Sequence, residues 1–67
     1  MRKNLYMFRH KLKLSQQAMA DKIGCSRITY AAIEAGKRDG RVKFWTNIKN
    51  AFGLTAQQRD ELITKEN

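Results

Sequence analysis

The stretch that decides the fold runs Gln16-Gln17-Ala18-Met19-Ala20-Asp21-Lys22-Ile23-Gly24-Cys25-Ser26-Arg27-Ile28-Thr29-Tyr30-Ala31-Ala32-Ile33-Glu34-Ala35. Its apolar residues recur at helical spacing on both sides of one glycine. Met19, Ala20 and Ile23 precede Gly24, and Tyr30 and Ile33 follow it, the pattern of a helix with one buried face. Ser15 and Ser26 stand just ahead of the two runs, where a hydroxyl accepts a hydrogen bond from an amide of the first turn. Gly24 supplies the positive φ that ends the first run without steric penalty. The segment therefore predicts two short helices around a tight turn. Ala20 is small where two steeply crossing helices must touch backbone to backbone, and Met19, Ile23, Cys25, Tyr30 and Ile33 close the wedge between them.

Outward from this pair the same period continues. Leu5, Phe8 and Leu12 mark one face of a helix ending near Lys13. Gly36 closes the helix that begins after Ser26, and the basic loop Lys37-Arg38-Asp39-Gly40-Arg41 follows. Val42, Trp45, Ile48 and Phe52 then give the buried stripe of a fourth helix, stopped by Gly53. Thr55 with Gln58 three residues later is a capping box, which predicts a fifth helix from Ala56 to about Lys65 with Leu62 and Ile63 turned inward. With no proline, linker or repeat, residues 1–67 read as one all-α domain of five short helices.

Composition narrows the function. Sixty-seven residues leave room for one modest core and none for a separate effector-binding domain,. Fourteen Lys and Arg against six Asp and Glu give a net charge of +8, and the pI is about 10.2, which makes nucleic acid the first partner to consider. Cys25 is the sole cysteine and His10 the sole histidine. A disulfide framework and a metal cage are both excluded, and a reducing cytoplasm is the expected compartment. No apolar run is long enough for a signal peptide or a membrane span. No nucleophile–base pair supports an enzyme, and neither a cofactor nor a small-molecule ligand is expected.

The order helix, glycine turn, helix between Gln16 and Ala35, with Leu14-Ser15-Gln16 before it and Ile33-Glu34-Ala35-Gly36-Lys37-Arg38 after it, resembles the helix-turn-helix of the lambda repressor and Cro-like, or XRE, family. The likeness extends through the spacing of Val42, Trp45, Ile48 and Phe52-Gly53-Leu54, covering roughly residues 5 to 55. Three positions depart from the family pattern: Lys13 stands where glycine is frequent, Tyr30 is bulkier than the usual aliphatic, and Gly40 replaces a frequent proline. Lys13 is expected to strain the end of the first helix, and Tyr30 to keep its hydroxyl at the rim of the core.

The resemblance implies a lambda-repressor-like fold and a double-stranded DNA-binding transcriptional regulator, a repressor acting as a homodimer on a palindromic operator. In such domains the second helix of the motif enters the major groove by its N-terminal end. The implied base readers are Arg27, Ile28, Thr29 and Ala32. Arg27 can fork to guanine O6 and N7, Ile28 can meet a thymine methyl, and Thr29 can do either. The implied phosphate contacts are Gln16, Gln17, Ser26, Lys37, Arg38, Arg41 and Lys43, with solvated surface residues as the plain alternative. Arg9 and Glu34 occupy positions that pair between the first and third helices in many members. Phe44 lies off the Val42, Trp45, Ile48 stripe, and is either an exposed dimer contact or a local cover for Trp45. Charge separates along the chain: residues 1–59 hold 13 bases and 3 acids, whereas residues 60–67 hold Lys65 against Asp60, Glu61 and Glu66, so the fifth helix is expected to face away from DNA. A protein-interaction module of antitoxin type, with DNA binding secondary, is the second reading.

Overall fold

The computed structural model describes residues 1–65; Glu66, part of the acidic end noted above, lies outside them. Five helices follow in order: α1 (Lys3–Lys11), α2 (Gln16–Ile23), α3 (Arg27–Glu34), α4 (Val42–Phe52) and α5 (Ala56–Ile63). The local chemistry at their ends follows the sequence. The Ala18 amide donates to Ser15 Oγ at 3.0 Å, and the Thr29 amide to Ser26 Oγ at 3.1 Å. The capping box closes with Thr55 N–H on Gln58 Oε1 at 2.9 Å and Gln58 N–H on Thr55 Oγ1 at 3.1 Å. Gly24 turns the chain at φ +88°.

Two helix ends differ from expectation. α1 stops at Lys11 rather than Lys13, because Lys13 takes φ 56°, a left-handed conformation that no helix continues and that is strained for a residue with a Cβ. Leu12, beyond the last turn, leaves the core face and is exposed. α5 ends at Ile63, and Lys65 instead donates to the Asp39 carboxylate at 2.6 Å.

The core gathers Leu5, Met19, Ala20, Ile23, Tyr30, Ile33, Phe44, Trp45, Ile48 and Leu62, with Phe8, Leu14, Cys25, Phe52, Leu54 and Ile63 packed against it. α2 packs on α3 and α4, and α1 packs on α5. The face of α4 is rotated from the one its spacing predicts. Val42 is 83% exposed, whereas Phe44 is 7% exposed, edge-on to Trp45 at 4.8 Å and tilted toward Tyr30 at 6.2 Å. Phe44 therefore covers Trp45 from inside the core and is not an exposed dimer contact. The physical reason is register: Phe44, Ile48 and Phe52 form an i, i+4 row that includes Trp45 on its flank, and the first residue of α4 lies past the edge of the core.

One carboxylate joins three helices. Arg9 donates to Glu34 through Nε at 2.9 Å and Nη2 at 3.1 Å, Tyr30 Oη donates at 2.6 Å, and Gln16 Nε2 at 3.3 Å. Arg9 and Glu34 are 9% and 4% exposed. Tyr30 is fully buried, so its hydroxyl does not stay at the rim of the core as expected; a buried acceptor holds it. Burial, reinforced by that bond to a carboxylate, drives the Tyr30 hydroxyl far above its ordinary range. Burial pushes the Glu34 carboxyl up, but the bonds from Arg9, Tyr30 and Gln16 and the Arg9 charge outweigh it and hold the group below its ordinary 4.5.

The loop between α3 and α4 is fixed by side chains. Trp45 Nε1 donates to the Asp39 carbonyl at 3.1 Å, and Gly40 lies against that ring at φ +78°. Arg2, which nothing in the sequence singles out, is 1% exposed and reaches the same loop. No described helix is long and apolar enough to cross a membrane.

A Cβ on Gly40 would stand 2.8 Å from Trp45 Nε1, whereas one on Gly24 meets nothing within 4 Å. Gly24→Ala should lose only the left-handed strain, about 1–2 kcal/mol, and Gly40→Ala that strain plus overpacking of about 1–3 kcal/mol; equal losses in urea denaturation would contradict the contact. Glu34→Ala strands Arg9 and should destabilise by about 3–5 kcal/mol, comparable to the whole stability of a domain this small. A carboxyl whose folded pKa lies below its unfolded value stabilises the fold above that value and loses the contribution as pH falls through the folded one. Wild-type stability should therefore hold above the ordinary 4.5 of Glu34 and fall below it. Glu34→Gln should show a shallower acid loss, read from denaturation midpoints across that range.

Candidate nucleic-acid interface

α3 is gripped along one side and bare at its leading end. Tyr30, Ile33 and Glu34 are buried, while Arg27 is exposed and Ile28 is 71% exposed. An isolated β-branched apolar residue that open to water has no packing role in the fold. Thr29 and Ala32 are half-buried, and Thr29 Oγ1 accepts from Ser26 Oγ at 3.0 Å. The Ser26 hydroxyl is thus spent on the cap and on Thr29, which fixes the direction in which Arg27 and Ile28 leave the helix.

Among the basic residues of this face stands one exposed acid, Asp39. Arg27, Lys37, Arg38, Arg41 and Lys43 are all exposed, and among the described residues none of them makes an ion pair. The carboxylates nearby are already engaged: Glu34 with Arg9, Asp39 with Lys65 and Arg2, and Asp21 with the Gln17 amide at 2.8 Å. The bond from Lys65, with its charge, holds the Asp39 carboxyl below its ordinary range. The outward field of this face is therefore net positive, with Asp39, itself paired to Lys65 and Arg2, as the acid in the loop.

Thr29, Arg38, Arg41 and Lys43 line one open groove of about 780 Å³, floored by Ile23, Ile33 and Phe44. It lies between the α2–α3 turn and the loop leading to α4. α4 enters it with Arg41 as N-cap and Lys43 in the first turn, and no side chain caps its amides. Lysine and arginine at a helix N-terminus oppose the helix dipole, an arrangement relieved by an anion. Asn47 Nδ2, which the sequence did not single out, donates to the Ile23 carbonyl at 3.1 Å and ties α4 to the end of α2 behind this groove. Its signal is absent from the sequence because the acceptor is a backbone carbonyl 24 residues away.

Gln16 and Gln17 stand apart from the groove, at the start of α2. The Gln16 amide nitrogen is held by Glu34 and Gln17 is exposed. Cys25 also lines the groove; it is half-buried, and burial pushes its thiol up. His10 stacks on Tyr6 with ring centroids 4.1 Å apart and faces Arg9 Nη2 at 3.4 Å, away from this face. Among the described residues no three of His, Cys, Asp and Glu come together as metal ligands would.

A family model described as a helix-turn-helix domain matches residues 4–62. An uncharacterized HTH-type transcriptional regulator of Bacillus subtilis strain 168, YqaE, is 46% identical over 52 residues, which make up 78% of this chain and 45% of that protein. The chain thus spans about half the length of that relative. No solved structure matches. With α2 and α3 joined at a left-handed glycine and the match running from α1 into α5, the chain belongs to the helix-turn-helix domain family, of the XRE kind.

Proposed function

We propose that this chain is a sequence-specific, double-stranded DNA-binding transcriptional regulator of repressor type, working in the cytoplasm on bacterial or phage DNA. The observation that carries the reading is the leading end of α3: Arg27 and a 71% exposed Ile28 project from a capped helix, and the exposed cations of the same face make no ion pair among the described residues. In this reading α3 lies in the major groove. Arg27 forks to a guanine, Ile28 and the Thr29 methyl meet thymine methyls, and Ala32 allows close approach. Arg38, Arg41 and Lys43 take phosphates along the groove beside α4, Lys37 takes one just past the end of α3, and Gln16 and Gln17 at the start of α2 and the first-turn amides behind the Ser26 cap of α3 take the others,.

Two copies acting on a two-fold operator follow from arithmetic on α3. Ala31 and Ala32 carry no hydrogen-bonding side chain, so one protomer has a single bidentate reader, worth about 1–3 kcal/mol of discrimination. A half-site read that thinly gains its selectivity by being read twice, with recognition helices about 34–36 Å apart, and from DNA shape between the half-sites. With Phe44 buried, the contact between copies has to use another surface.

Selection of bound sequences from a random duplex pool should return an inverted repeat. Arg27→Ala should relax preference at one position of each half-site while leaving others intact, whereas Lys37→Ala should weaken all sequences about equally. With about four phosphates neutralised per protomer, the log affinity of the dimer should fall with log salt at a slope near −7. Binding to a protein partner that survives about 0.5 M salt, with no retained DNA sequence, would replace this reading by the antitoxin-type one.

A further inference from the structure

Among the described residues, the charged side chain least exposed to solvent has no part in the interface described above. Arg2 is 1% exposed, yet its guanidinium donates to backbone carbonyls in three separate regions. These are Ile33 near the end of α3, Arg38 at 2.8 Å and Asp39 at 3.1 Å in the loop, and Ile63 at the end of α5 at 3.0 Å. It also lies over the Trp45 ring at 5.4 Å and 3.8 Å from the Asp39 carboxylate. Its own amide donates to the Glu34 carbonyl at 2.8 Å. Residues 38–40 fall between α3 and α4, where no helix ladder takes up their carbonyls. The Asp39 carbonyl is instead shared by Arg2 and Trp45 Nε1.

We infer that Arg2 is a positioning residue for DNA binding: from inside the protein it fixes the loop that presents Arg38 and Arg41, so these cations stand ready before any phosphate arrives. The inference rests on the DNA-binding reading proposed above. A side chain so enclosed cannot touch DNA, so its effect runs through the carbonyls it holds, not through its own charge. A flexible loop would have to be ordered at each encounter, and binding would be weakened by the conformational entropy lost. Lysine cannot substitute, because one ammonium does not span a planar fork of carbonyl acceptors.

The test uses the full chain and a fluorescent mixed-sequence duplex of about 25 base pairs, titrated at several salt concentrations. Arg2→Met and Arg2→Lys should each bind about tenfold more weakly, the equivalent of ordering about one further backbone residue, with a salt slope shallower by about one phosphate. Amide exchange should quicken at residues 38–41 while Ala20 and Ile33 stay protected. Arg38→Ala should weaken binding with loop exchange unchanged, and the double variant Arg2→Met/Arg38→Ala should lose less than the product of the two single losses.

Wild-type affinity and slope in a folded Arg2 variant would overturn the inference. So would a loss that merely matches the unfolded fraction, or fully multiplicative losses in the double variant. Should the Arg2 variants not fold, ¹⁵N relaxation of the free wild type decides. Amides 38–41 as ordered as those of α3 support the role, and nanosecond motion quenched only by added duplex overturns it. A wild type that ignores duplex at low salt overturns the DNA reading and this role with it. That failure is distinguishable, because the exchange measurements still register the loop without DNA.

Discussion

A helix that offers its leading end to a partner must be held by what remains, and here that is one carboxylate. Glu34 sits at the last turn of α3 and receives Arg9 from α1, Gln16 from α2 and Tyr30 from α3 itself. Taking an ion pair out of water is expensive, and a buried pair is weak grounds for stability compared with apolar residues of the same volume. What it provides is direction. Apolar contacts between α2 and α3 tolerate sliding and rotation, whereas a carboxylate with its lone pairs filled from three helices accepts one arrangement. The angle at which Arg27 and Ile28 leave the surface is set by that arrangement.

The same economy governs charge. Glu34 lies behind the basic face and Asp39 within its loop, and both are satisfied by other bases, Arg9 for the first and Lys65 with Arg2 for the second. Had either paired with Arg38, Arg41 or Lys43, the groove would carry a smaller positive potential, and a phosphate would have to displace an existing partner. With the acids engaged elsewhere, the cations exchange only water and counterions on binding, which is the source of salt-dependent affinity in the proposed complex. Internal ion pairing and external positive field are therefore two consequences of one distribution of acids.

How much of this was legible follows the range of each interaction. The caps at Ser15, Ser26 and Thr55, and the turn at Gly24, involve partners within a few residues, and the sequence shows them outright. The Arg9–Glu34 pair came from resemblance, since nothing local links residues 25 apart. Arg2 escaped both routes: its acceptors are carbonyls up to 61 residues away, and carbonyls carry no sequence signature. Tyr30 was misplaced because its hydroxyl was weighed against solvent, when a buried acceptor was waiting four residues on. Phe44 and Val42 exchanged places because α4 carries two overlapping apolar rows, and the choice between them depends on where the preceding loop delivers the helix.

The proposed site is unusual for how little of it reads bases. Arg27 is the one exposed side chain on α3 able to fork to a base edge, and Ala31 and Ala32 leave a slim helix that can seat deeply but says little. Discrimination then depends on whether that single fork and the methyl contacts of Ile28 meet their bases in register, which phosphate contacts on either side determine. Register demands that Lys37, Arg38, Arg41 and Lys43 stand at fixed distances from α3. Those distances are fixed through Glu34 on one side and through the loop carbonyls held by Arg2 and Trp45 on the other. Where the reading residues are few, selectivity passes to the framework, and rigidity remote from DNA becomes part of the recognition itself.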